Sequence, residues 1–142
     1  MKDIEILLRG FAMLIEGKNY KPSMVKFLNQ FSRKCEQHSP EQNEYLRGLF
    51  KSFLKACSDL PKDAFFNKKN KRFNIALYEA VFTAACEKAF AKRRPVAGVL
   101  DTERLHTLET DQEFVAAAQA GTTQTINVEK RLNRARAIIG AL

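Results

Sequence analysis

Apolar residues recur along this chain at three- and four-residue intervals, and the pattern restarts at chemically marked boundaries. Ile4, Leu7, Leu8, Phe11, Leu14 and Ile15 trace one face of a first helix. Asp3 suits its start as a cap, and Gly17 suits the left-handed position after its end. Pro22 disfavours helix before it, and Ser23 can cap a second helix carrying Met24, Phe27, Leu28, Phe31 and Cys35 on one side. Ser39, Pro40 and Gln42 form a compact start signal: serine caps, proline takes the first turn, and Gln42 completes a capping box. The third helix then buries Leu46, Leu49, Phe50, Phe53, Leu54 and Cys57, and stops near Leu60 and Pro61.

Residues 61–73 are the longest irregular stretch, docked on the body through Phe65 and Phe66. Asn74 is placed to cap a fourth helix whose apolar arc is broad: Ile75, Leu77, Tyr78, Val81, Phe82, Ala84, Ala85, Cys86, Ala89 and Phe90. A helix apolar over so much of its circumference belongs at the centre of a fold. Asp101 starts a short helix through Leu108, and the run Thr110 to Glu113 reads as another capping box before FVAAAQA. Gly121 stops that helix. Asn127 opens the last one, with Val128, Leu132, Ala135, Ile138, Ile139 and Leu142. No alternating strand pattern interrupts the series. The expectation is an all-α fold, a compact single-domain bundle of six to seven helices over residues 1–142.

At this length about two thirds of the unfolded surface is buried on folding, which suffices for one core. No apolar run approaches the ~18 residues of a membrane span, and the amino terminus lacks a secretory layout. Cys35, Cys57 and Cys86 are odd in number, widely spaced and on apolar stripes, so they read as reduced buried thiols in a cytoplasmic protein.

Charge changes the picture. The net charge is +8, and residues 67–94 alone carry +6, against +3 for residues 1–66 and −1 for residues 95–142. Lys68, Lys69, Lys71 and Arg72 crowd the loop before the fourth helix, while Lys92, Arg93 and Arg94 follow its end. Such clustering is the electrostatic footprint of a nucleic-acid surface, each cation neutralising one phosphate. A solvated loop accounts for the first group equally well, and an ordinary helix cap accounts more simply for the second. A helix of 17 residues is ~25 Å long, so a long duplex reaches both groups and a short ligand does not. Lys130, Arg131, Arg134 and Arg136 on the last helix read as a salt-bridged solvent face, with Glu129 close by.

Catalytic and metal-binding patterns are not found. His38 and His106 have no partner histidine at ligand spacing, and Cys35 beside His38 is a single pair without a second. There is no phosphate-cradling glycine loop and no nucleophile elbow. Glu79 lies inside the apolar arc of the fourth helix; a structural ion pair with a basic side chain suits it better than a role as catalytic base. No cofactor is expected.

Three segments together resemble a known family. They are LLRGFAMLIEGKNYKPSMVKFLNQF, FNIALYEAVFTAA and EFVAAAQAGTTQTINVEKRLNRAR, and they are similar to the helical carboxy-terminal part of the GmrSD-type restriction endonuclease family. Asn74, Leu77, Tyr78, Glu79 and Arg131 match its pattern. The resemblance implies a bacterial antiphage protein whose catalytic amino-terminal domain, with its Asp-Gly-Gln-Gln-Arg type motif, is absent from this chain. It further implies a non-catalytic helical module that supports a nuclease or NTPase domain or subunit and contacts DNA through the basic loop. The alternative is a docking or homodimerisation module with no nucleic-acid role, its exposed apolar patch on helix one.

Overall fold

Ser23, Ser39, Asn74 and Asp101 each accept a hydrogen bond from the backbone N–H three residues on, at 3.4, 3.1, 3.1 and 2.7 Å. These caps satisfy amides that the first turn of a helix leaves without partners, and they fix where four of the helices begin. The structure, a computed structural model, describes residues 2–142. Its helices are α1 (Lys2–Glu16), α2 (Met24–Cys35), α3 (Pro40–Ala56), α4 (Ile75–Ala91), α5 (Thr102–Glu109), α6 (Gln112–Gln119) and α7 (Thr125–Ile138). A single 3-10 turn covers Gly17–Asn19. Among the described residues the nearest approach to a sheet is one isolated antiparallel bridge, Phe66 with Phe73. The protein is an all-α bundle.

Asp3 lies within the first turn of α1, which begins at Lys2, and is not its cap. Four further boundaries differ from the sequence expectation, each for a local reason. Gly17 does not reverse the chain in a left-handed conformation; it opens the 3-10 turn, and Tyr20 N–H donates to its carbonyl at 3.1 Å. The third helix stops at Ala56, short of Leu60, and the Ala56 carbonyl is taken by the N–H of Leu100 at 2.9 Å. Asp111, not Thr110, caps α6, accepting from Phe114 N–H at 3.0 Å. The Thr110 hydroxyl instead donates to the His106 carbonyl at 2.8 Å, closing α5 behind it. Finally, α7 begins at Thr125, before Asn127. Asn127 donates backward to the carbonyls of Ala120 and Gly121, at 3.2 and 2.9 Å, and so closes the turn in which Gly121 takes φ +60°.

The centre of the molecule is α4, in which every residue from 77 to 86 is buried. Around it pack α1, α3 and α7, with α5 and α6 against α7 and α2 against α1. Tyr45 and Phe90 meet at one end of the α3–α4 contact and Phe53 and Tyr78 toward the other, so the two helices run antiparallel. Phe82 sits where Phe11, Phe50, Phe53 and Tyr78 converge, with ring centroids 5.0–6.3 Å away and edge-on geometry to Phe11 and Phe53. Gly10 lets α1 approach this cluster closely: a Cβ there would stand 3.2 Å from both Phe82 and Tyr78. A smaller apolar cluster, built from Ala12, Met13, Tyr20, Met24, Phe27, Leu28, Phe31 and Val128, fastens α2 to α1 and the start of α7. No described helix is long and apolar enough to cross a membrane.

Candidate functional site

The loop before α4 is a short hairpin with a cationic tip. Its base is the Phe66–Phe73 bridge, and Asn67 N–H donates to the Arg72 carbonyl at 2.7 Å. Two asparagines shape the tip. The Asn67 side-chain oxygen accepts from Lys69 N–H at 2.8 Å and from Asn70 N–H at 3.3 Å, and that of Asn70 accepts from Arg72 N–H at 2.9 Å. Lys71, between Asn70 and Arg72, takes φ +61°. These are side-chain mimics of a backbone turn, which asparagine is suited to make. They hold Lys68, Lys69, Lys71 and Arg72 outward, all four exposed. Within the described residues only Lys68 among the four has a carboxylate in range, Glu109 at 3.8 Å.

Aromatic rings root the hairpin in the body. Phe65 and Phe73 lie 5.9 and 5.7 Å from Tyr78 in α4, and Phe66 stands edge-on to Phe73 at 5.5 Å. Phe65 docks as the sequence suggests. Phe66 does not: it is 41% exposed, because the turn closed by its N–H on the Asp63 carbonyl at 2.9 Å sets Phe65 against the body and leaves Phe66 at the outer edge, in the isolated bridge with Phe73.

The second basic group is built differently. Lys92 is the C-cap of α4 and Arg93 follows at φ +54°, so the chain reverses here. The Arg93 guanidinium lies 4.9 Å over the Tyr45 ring and donates to the Gln42 side chain. The Arg94 carbonyl accepts from the Tyr45 hydroxyl at 2.9 Å, while its N–H donates to Ala89 at 3.0 Å. Arg93 is thus held against α3, and the group stands at the opposite end of α4 from the hairpin, ~25 Å away.

The basic side of α7 divides in two. Arg134 pairs in bidentate fashion with Asp111 at 3.0 Å and reaches Glu113, and Arg136 pairs with Glu87 at 2.9 and 3.0 Å. The Arg134 guanidinium beside it holds the Asp111 carboxyl below the usual range, helped by the Phe114 amide. Arg131 departs from the expected solvent face: it is 1% exposed. Its Nη1 donates to the Ala117 carbonyl at 2.8 Å, and Nη2 lies 3.8 Å from the Glu79 carboxylate. Arg9 of α1 donates from Nε to the other oxygen of the same carboxylate. Glu79 has the ion pair that the sequence suggested, with two cations in place of one. Burial pushes the Arg131 guanidinium below its ordinary pKa; Glu79 works against that fall and Arg9 adds to it. Arg9, absent from the sequence expectations, does show one signal, since it lies one helical turn before Met13 on the inner side of α1.

Beside this cluster, Met13, Glu79, Ala80, Thr83, Val128, Arg131 and Leu132 line a cavity of about 10 Å³. A second, of about 20 Å³, lies between the end of α1 and α2. Each has room for about one water, whereas small-molecule sites typically measure ~300–1,000 Å³. Among the described residues no three His, Cys, Asp or Glu side chains converge as a metal set. The features with an outward-facing chemistry are therefore the cationic hairpin and, at the far end of α4, the residues 92–94. Comparison with protein families, curated proteins and solved structures finds no match for this chain.

Proposed function

We propose that the chain is a non-catalytic helical module of a restriction-type antiphage protein, which contacts DNA phosphates through the hairpin of residues 65–73 and supports a nuclease part. The observation that carries the DNA reading is the tip itself: four exposed cations on a loop fixed by two asparagine turns and rooted through aromatic rings in the central helix. A pre-ordered backbone loses little freedom when the tip meets phosphates, so this loop binds more tightly than a flexible loop with the same cations would. The link to a defence nuclease rests on the resemblance of three segments.

Neutralising four phosphates gives a salt slope of about −3.6 on duplex DNA, so affinity falls roughly a hundredfold between about 50 and about 200 mM salt. Replacing Lys68, Lys69, Lys71 and Arg72 together by alanine is expected to flatten that slope to near zero, as read by fluorescence anisotropy of a labelled duplex. An unchanged slope in the quadruple variant sinks the hairpin as the contact. A docking role is favoured by a separate observation: Ile4 and Leu7, one turn apart on α1, are 66% and 36% exposed. Light scattering distinguishes the readings, since a dimer in the absence of DNA that is broken by Ile4→Glu belongs to the docking role.

A further inference from the structure

Resting on the phosphate reading of the hairpin, we infer that its ligand is unpaired DNA, and that Phe66 is the platform on which a base stacks. The chain has eleven phenylalanines, three tyrosines and no tryptophan. Of these fourteen aromatic side chains, Phe66 alone is exposed; the other ten phenylalanines are buried or half-buried, as are Tyr20, Tyr45 and Tyr78. An exposed apolar residue by itself signifies nothing. This one stands at the base of the cationic tip, two residues before Lys68 and paired across the bridge with Phe73, the neighbour of Arg72. Cations therefore follow the ring on one strand and flank its partner on the other.

The ring is also held. Its edge-on contact with Phe73 continues through Phe73 to Tyr78, so the chain of contacts leads from the surface to the middle of α4. A fixed flat ring among phosphate-binding cations is the arrangement that single strands use, because an unpaired base offers its face and every base has one. In a duplex those faces are already stacked on one another, and the ring gains nothing by approaching them. Cationic contacts thus serve both forms of DNA, and the ring serves one.

The absence of tryptophan makes a direct test available. Phe66→Trp supplies the sole indole of the protein, and its emission is expected to be quenched by an oligothymidylate and unaffected by a duplex of the same length. In anisotropy titrations, Phe66→Ala weakens binding of the oligothymidylate about tenfold and leaves the duplex unchanged. Phe66→Leu, which keeps an apolar side chain and loses the flat ring, behaves like Phe66→Ala. Equal affinity of the native protein for single strand and duplex, with Phe66→Ala and Phe66→Leu silent on both, overturns the stacking role and leaves the phosphate contact standing. Binding to neither form, or undiminished binding by the quadruple alanine variant, overturns both.

Discussion

Glu79→Ala is expected to destabilise the protein by about 3–5 kcal/mol, because it leaves Arg9 and Arg131 in the interior without their shared carboxylate. The cost is that of two stranded cations, one of which is 1% exposed, rather than that of a lost attraction. A domain of this size has a total stability of about 5–15 kcal/mol, so the variant lies near the limit of folding. Equilibrium urea unfolding followed by far-ultraviolet circular dichroism reads the effect as a lowered midpoint. A control separates charge stranding from packing. Arg9→Met, Glu79→Leu and Arg131→Met introduced together remove every charge and keep most of the volume. Most of the stability is expected to return, as it does when buried ionic clusters are exchanged for apolar groups. A loss below about 1 kcal/mol in Glu79→Ala rules out the account given of this cluster.

The second large effect is expected at Phe82. Its ring is fully buried and meets four other rings, from α1, α3 and α4 itself. Phe82→Ala removes that common contact and opens a cavity that three helices must close around, at a cost of about 3–5 kcal/mol. Gly10 brings α1 within contact distance of the same ring, so α1 loses its seat along with α3. Phe82→Leu retains much of the volume and is expected to cost about half as much or less. Thermal unfolding of the pair provides the comparison. Equal melting temperatures for the alanine and leucine variants would show that cavity volume at this position does not govern stability.

Much of this architecture is legible in the sequence because local chemistry encodes it. Ser23, Ser39, Asn74 and Asp101 announce helix starts by residue type, and the broad apolar arc of α4 announces a central helix. Boundaries fail where two neighbours compete for one role. At Thr110 and Asp111 the carboxylate takes the cap and the hydroxyl closes the preceding helix. At Asn127 the side chain reaches backward to the carbonyls of Ala120 and Gly121. Glu79 is legible as half of a pair, since a carboxylate amid apolar neighbours needs a cation. Its partners are not, because helical periodicity assigns every arginine to the outside by default and holds no information about a residue 52 positions away. The cationic hairpin is visible as a charge cluster; which of Phe65 and Phe66 faces outward depends on the register of the bridge, and composition does not carry that.

The three thiols give the fold a built-in clock for its own opening. Burial lifts all of them above the ordinary thiol pKa, Cys57 to about 11 and Cys86 further, so at neutral pH almost none is in the reactive thiolate form. Cys35 sits half-buried at the end of α2, against the peripheral apolar cluster, while Cys86 is sealed inside α4. An alkylating reagent therefore meets them in an order set by which part of the molecule lets go first. The half-buried peripheral thiol is modified from the folded state or after a small displacement of α2, and the central one only when the packing around α4 comes apart, so the slower rate reports opening of the core and the faster one the looser attachment of α2.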